Sequence, residues 1–215
     1  MNYERLYSYR FRDVDQTLRA EVWKAIAEHV YDQLGKPSVV LDPAAGRGEF
    51  INAVPAAERW AVDMVAYPEG THDPAVRVVV SDIFEVDLPE RYFDGVFVSN
   101  FLEHLLTQES VSAFLEKMFG AVRPGGRIAI MGPNFRYCAK DYFDCADHTL
   151  AFTHGAIAEH LYAAGFEPER VVARYLPYSF RSRLPSSRAA TRMYLRTPAA
   201  WRIFGKQFLV IGRAP

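Results

Sequence analysis

One recurring pattern limits the fold more than any other feature of this chain: a short apolar run closed by an acid or an amide. SVVLDPA from Ser38, RWAVDMV from Arg59, VRVVVSD from Val76 and FDGVFVSN from Phe93 all have this form. Each is too short for an ordinary helix, and near-continuous apolarity predicts strands buried on both faces, as in a parallel sheet. Helical segments are expected between and after them. The clearest runs from Gln108 to Val122 and stops at Arg123-Pro124-Gly125-Gly126, just before a fifth strand, RIAIMG. Ahead of the first strand, Leu18, Val22, Ile26, Val30 and Leu34 recur every fourth residue between Val14 and Leu34, the stripe of a helix packed on something larger, which Gly35 ends. Alternating strands and helices predict crossover connections over one sheet.

Past the fifth strand the pattern predicts a polar, aromatic loop from Pro133 to Leu150, a helix from His154 to Ala164, a strand near Arg170 to Tyr175 and a final strand in KQFLVIGR. Pro185 and Pro198 bracket a further helix on which Arg188, Arg192 and Arg196 share one face. No repeat or linker divides the chain, so residues 1–215 read as a single domain with a basic, aromatic insertion at about 177–205.

LDPAAGRGEF places Gly46 and Gly48 directly after a strand and before an expected helix, where a backbone without Cβ lets a ligand approach and free N–H groups can meet an anion. Asp63 ends the second strand, where a carboxylate can accept both hydroxyls of a ribose. Asp82 ends the third, placed to accept from an adenine amino group while Ile83 packs on the ring. A lone strand-end Asp is usually a turn former. Three of them around one glycine turn point to a nucleoside-bearing ligand.

These segments resemble the class I S-adenosylmethionine (SAM)-dependent methyltransferases of the methyltransferase-11 type, over about residues 38–135. The resemblance is carried by VVLDPAAGRGEF, WAVDMV, SDIF, FDGVFVSNFLEHL and VRPGGRIAI. It implies an α/β fold with a Rossmann-like seven-stranded, mostly parallel sheet, an antiparallel last strand at KQFLVIGR and helices on both faces. It also implies S-adenosyl-L-methionine as cofactor, with Asp42, Ala44, Gly46 and Gly48 at the methionine portion, Asp63 and Met64 at the ribose, Asp82 and Ile83 at the adenine, and Asn100, Phe101 and the turn through His104 beside the sulfonium. Ala44 replaces the family's usual first glycine, which makes DPAAGRG partly similar to the turn of amino-methylating DNA enzymes. Those carry an Asn-Pro-Pro or Asp-Pro-Pro sequence after strand four, and this chain has Ser99-Asn100-Phe101-Leu102, so DNA-base methylation is disfavoured. The absence of GxGxxG weakens a nicotinamide reading.

A hydroxyl acceptor needs a base near the carboxyl edge of the sheet, and the candidates are His104, Asp147 and His148. Asp141, Asp144, Cys145, Asp147 and His148 crowd one loop, but their spacing fits no coordination loop, and no metal ligand is assigned. The segments YFDCADHTLAFTH, YLPYSFRSRLP and YLRTPAAWRIFGKQF are similar to small methyltransferases of bacterial polysaccharide or glycolipid assembly, which implies O-methylation of a sugar carried on a nucleotide or lipid.

Charge agrees with an anionic partner. Through Glu169 the chain holds 15 Lys or Arg against 26 Asp or Glu, and after it ten Lys or Arg and no acid. Arg181, Arg183, Arg188, Arg192, Arg196 and Arg202, interleaved with Phe180, Tyr194, Trp201 and Phe204, suit an anionic acceptor or peripheral contact with a membrane at 177–205. The alternatives are a non-catalytic SAM-binding partner of a membrane enzyme, or an RNA methyltransferase; the acidic remainder disfavours nucleic acid. Two cysteines, Cys138 and Cys145, and a charged, aromatic N-terminus predict reduced thiols in a cytoplasmic protein, peripheral at most to the inner membrane face.

Overall fold

The computed structural model describes residues 3–178 and 187–215. A short helix, α1 (Tyr3–Arg10), precedes α2 (Gln16–Gln33), which the Asp15 carboxylate caps by accepting from the N–H groups of Thr17 at 2.9 Å and Leu18 at 3.0 Å. Val22, Ile26, Val30 and Leu34 are buried as expected, whereas Leu18, in the first turn, is 37% exposed. The strands follow as β1 (Val39–Asp42), β2 (Glu58–Asp63), β3 (Val76–Val80) and β4 (Phe93–Ser99). After a single 3-10 turn at Leu102–His104 come α3 (Gln108–Ala121), β5 (Val122–Pro133), α4 (Phe135–Tyr142), α5 (His154–Ala163), β6 (Glu167–Val172), α6 (Arg188–Leu195), α7 (Pro198–Phe204) and β7 (Gln207–Arg213).

All seven strands form one sheet in the order β3-β2-β1-β4-β5-β7-β6, with β7 antiparallel to both neighbours and the other pairings parallel. This is the expected Rossmann-like sheet. Its two-residue period sorts the core. Leu41, Val96, Val98, Ile128 and Ile130 join α3 and α5 in one cluster. Val40, Phe97, Ala129 and Met131 join α2, α6 and α7 in another. Chain order reverses between β1 and β4, so their carboxyl ends open a crevice at the sheet's switch point.

Several expectations need correction. The connections β1 to β2, β2 to β3 and β3 to β4 are turns and loops, not helices. Pro55, Pro68, Pro74 and Pro89 fall in them, and each removes a backbone donor and fixes φ. β3 is an edge strand in the sheet order and no crossover helix covers it, so Val78 and Val80 are 41% and 54% exposed. The Arg-Pro-Gly-Gly turn lies inside β5 instead of before it, because Gly125 N–H donates to Ala214 O and Gly126 O accepts from Ala214 N–H. The loop expected at 133–150 contains α4, capped by Asn134. β6 starts earlier than predicted, since Glu167 already pairs with Arg213. The helix bracketed by prolines is two helices, α6 ending before Pro198 and α7 starting on it.

His29 of α2 packs against Tyr175, with ring centroids 5.7 Å apart, and edge-on to Trp201 at 5.9 Å, and its Nε2 has no partner. Burial, then Arg170, lowers its pKa below the usual histidine value. A neutral folded imidazole that the unfolded chain protonates makes stability fall as pH drops below about 6.5 toward the folded pKa. His29→Phe should therefore reduce the loss of melting temperature between about pH 7.5 and 5. An unchanged pH dependence would refute this.

Candidate functional site

A cavity of about 1000 Å³ occupies the crevice at the carboxyl ends of β1, β2, β3 and β4. Asp42, Ala44, Gly46, Asp63, Met64, Asp82, Ile83, Asn100, Phe101 and His104 all line it, so the structure gathers nearly every residue named for the cofactor. The segment after β1 does not become a helix. Gly46 (φ +53) and Gly48 (φ +73) adopt left-handed backbone that right-handed helix cannot continue through, and consecutive turns follow. Gly46 lies on the wall, where its N–H donates to Asp63 Oδ2 at 2.7 Å. Gly48 lies behind it, and the space left by its missing Cβ is taken by His72, whose Cδ2 would be 2.6 Å from an added Cβ. Gly48→Ala combines that clash with a strained φ and should cost about 1–3 kcal/mol. Urea unfolding measures it, and a change within about 0.5 kcal/mol would refute it.

Asp63 is held before any ligand arrives. Its Oδ1 accepts from Val65 N–H at 2.8 Å and its Oδ2 from Gly46 N–H, and each oxygen keeps a lone pair. Asp42 is 4% exposed, and burial, reinforced by the charge of Asp63, pushes its carboxyl well above the usual range. The exposed Asp82 accepts from Phe84 N–H at 3.0 Å in a turn, with Ile83 buried beside it. Asn100 sits at φ +49, a left-handed conformation that Asn tolerates better than most residues, and anchors itself by donating its N–H to Met131 O at 2.8 Å.

The helices add wall residues that the sequence did not reveal. Tyr7, Arg10 and Phe11, from α1 and the turn after it, line the cavity, as do Arg19 and Trp23 of α2. Arg19 bonds Glu49 at 2.7 Å, and Trp23 Nε1 is buried with no partner. The three- and four-residue spacing of Tyr7, Arg10 and Phe11 was the available signal.

At the turn after β4, His104 faces the cavity and directs Nδ1 to Asp147, 3.1 Å from its backbone oxygen and 3.4 Å from Oδ2. Arg10 donates to Asp147 Oδ1. Burial would raise the Asp147 pKa, but the Arg10 bond and the His104 charge outweigh it and hold the carboxyl below its ordinary value. Asp147 thus contacts His104, and no hydrogen bond or ion pair joins it to the adjacent His148. His148 stands behind the wall, 5.0 Å from the His104 ring and 4.7 Å from the Tyr142 ring, and burial, then His104, pull its pKa down to about 4. Glu103, expected with the rest of its turn beside the sulfonium, is not among the residues lining the cavity. It is 3% exposed, and burial raises its pKa.

Other expectations separate. Asp141 pairs with Lys206 at 3.0 Å instead of joining Asp147, and Cys138 and Cys145 are free thiols. Arg188 and Arg192 both pair with Glu28 of α2, at 2.5 and 2.7 Å, so two of the three aligned guanidinium groups hold α6 to the fold. Trp201 is buried and Tyr194 donates to Tyr175 O at 2.6 Å, which makes these aromatics core. Phe180, Arg181 and Arg183 lie outside the described residues. Among the described residues, no helix is long and apolar enough to cross a membrane.

Sheet order, an antiparallel β7 and strand-end acids around one switch-point cavity define the class I methyltransferase fold. Residues 41–130, from within β1 to most of β5, match the model of a methyltransferase domain family whose cofactor is S-adenosyl-L-methionine. The cavity fits it, with Asp63 pre-oriented for a diol and Trp23 Nε1 still to be satisfied. A search of curated proteins found no match. Among solved structures, a SAM-dependent methyltransferase from Archaeoglobus fulgidus is 21% identical with a TM-score of 0.69, covering 99% of this chain and 100% of its own. The 1,6-didemethyltoxoflavin-N1-methyltransferase of Burkholderia thailandensis is 24% identical with a TM-score of 0.62, covering 99% and 88%. Geranyl diphosphate C-methyltransferase from Streptomyces coelicolor is 13% identical with a TM-score of 0.64, covering 89% and 78%. These likenesses concern the fold, on which both nitrogen and carbon methylation occur.

Proposed function

We propose that the chain transfers the methyl group of S-adenosyl-L-methionine to an oxygen of a small hydroxylated acceptor, with a sugar as the favoured class. The observation that carries this reading is His104 on the cavity wall with Nδ1 turned to Asp147. When bound, the cofactor supplies a sulfonium methyl group that passes to the acceptor oxygen and leaves S-adenosylhomocysteine. A hydroxyl is a weak nucleophile, so its proton must depart as the new C–O bond forms. Both Asp147 oxygens near Nδ1 are acceptors only, which places the ring hydrogen on Nδ1 and the lone pair on Nε2. Nε2 is then the atom that takes the hydroxyl proton, Asp147 offsets the imidazolium charge, and the proton later passes to water. α1 contributes Tyr7 and Arg10 to the wall of the same cavity.

The test is transfer of label from methyl-labelled cofactor to free and nucleotide-linked sugars, with the product examined for a stable methyl ether. Label on oxygen supports the reading. Label on nitrogen, or no transfer to any hydroxylated acceptor by protein that binds S-adenosylhomocysteine, overturns it.

A further inference from the structure

We infer that Glu103, His104 and His148 form a mononuclear site for a divalent transition-metal ion at the edge of the cavity. One ligand atom from each lies within 4.8 Å of the others. Metal–ligand bonds of about 2.0–2.2 Å separate neighbouring ligands by roughly 3–4 Å, so a contraction of about 1 Å would enclose an ion. Two imidazoles and one carboxylate, with positions left open for substrate, are a donor set suited to zinc, iron or cobalt more than to magnesium.

Independent observations point to the same ligand. Glu103 is 3% exposed, and although the charges of His104 and Arg10 act on it, among the described residues no Lys or Arg forms a salt bridge with it. A buried carboxylate without a cation is costly, and an ion would satisfy it. His148 Nδ1 is buried with no hydrogen-bond partner. His104 has its Nδ1 at Asp147, the outer support that orients a metal-bound histidine in most such sites. This support comes from the one member of the three that meets the cavity wall, so open positions on the ion would be reached from the cavity.

The inference deepens the proposed function and rests on it for the acceptor atom. It replaces direct contact between His104 and the acceptor hydroxyl with contact through the ion, whose charge would make that hydroxyl more acidic; with His104 Nε2 on the ion, the hydroxyl proton would pass to water as the C–O bond forms.

The test titrates metal-stripped protein with cobalt(II), followed by calorimetry and visible d–d absorption, with S-adenosylhomocysteine binding measured in parallel. Wild type should bind one equivalent at micromolar or tighter affinity. Glu103→Gln and His148→Gln should each weaken that binding at least tenfold while retaining S-adenosylhomocysteine affinity within about twofold, which also shows that they fold. No saturable one-to-one binding by wild type, or equal binding by both folded variants, would overturn the site. Metal binding is read without any acceptor, so its failure is distinct from failure of oxygen methylation.

Discussion

Asp63→Ala is expected to weaken S-adenosylhomocysteine binding about 100-fold or more, read by calorimetric titration. The carboxylate proposed to hold the ribose would lose two charge-assisted hydrogen bonds, each contributing about 1.5–3 kcal/mol, and every 1.4 kcal/mol is tenfold in affinity. The same substitution frees the N–H groups of Gly46 and Val65, which now donate to Asp63 at 2.7 and 2.8 Å, so the glycine turn loosens too. Asp63→Asn separates the two effects, because one amide oxygen still accepts and the charge is gone. Its loss should be intermediate. Binding by Asp63→Ala within threefold of wild type would mean that the ribose lies elsewhere.

The second large effect belongs to His104. His104→Ala should lower kcat by about 100- to 10,000-fold with KM for the cofactor nearly unchanged, because proton removal from the acceptor is lost while the cofactor wall stays intact. This holds whether the imidazole meets the hydroxyl directly or through an ion. A drop confined to KM would make His104 a binding residue. Asp147→Asn should give a smaller fall in kcat, since the side chain still spans the gap to Arg10 and His104 but no longer offsets a positive imidazole. Equal rates in Asp147→Asn and wild type would remove Asp147 from the mechanism.

The central part of the fold was legible because its signals are local. SVVLD, RWAVD and FDGVFVSN are short apolar runs that stop at Asp42, Asp63 and Asn100, and those ends became cavity wall. The glycine turn was legible for the same reason, although Gly48 makes room for His72 instead of a ligand, a contact between residues far apart in sequence. β3 was misread as buried because apolarity marks strand propensity, while exposure depends on whether anything covers the strand.

Local chemistry determined that this chain forms a parallel sheet with acids at its carboxyl edge, since strand length, glycine placement and alternating side chains are properties of neighbouring residues. Only the tertiary structure decided what those acids face. It brought Arg10, His104 and Asp147 together across more than a hundred residues, set His148 behind the wall, and left Glu103 buried beside both histidines. It also paired Arg188 and Arg192 with Glu28 on the surface between α6 and α2. Charge partners and solvent exposure are fixed by distances through space, and those exist only once the sheet has closed its two cores.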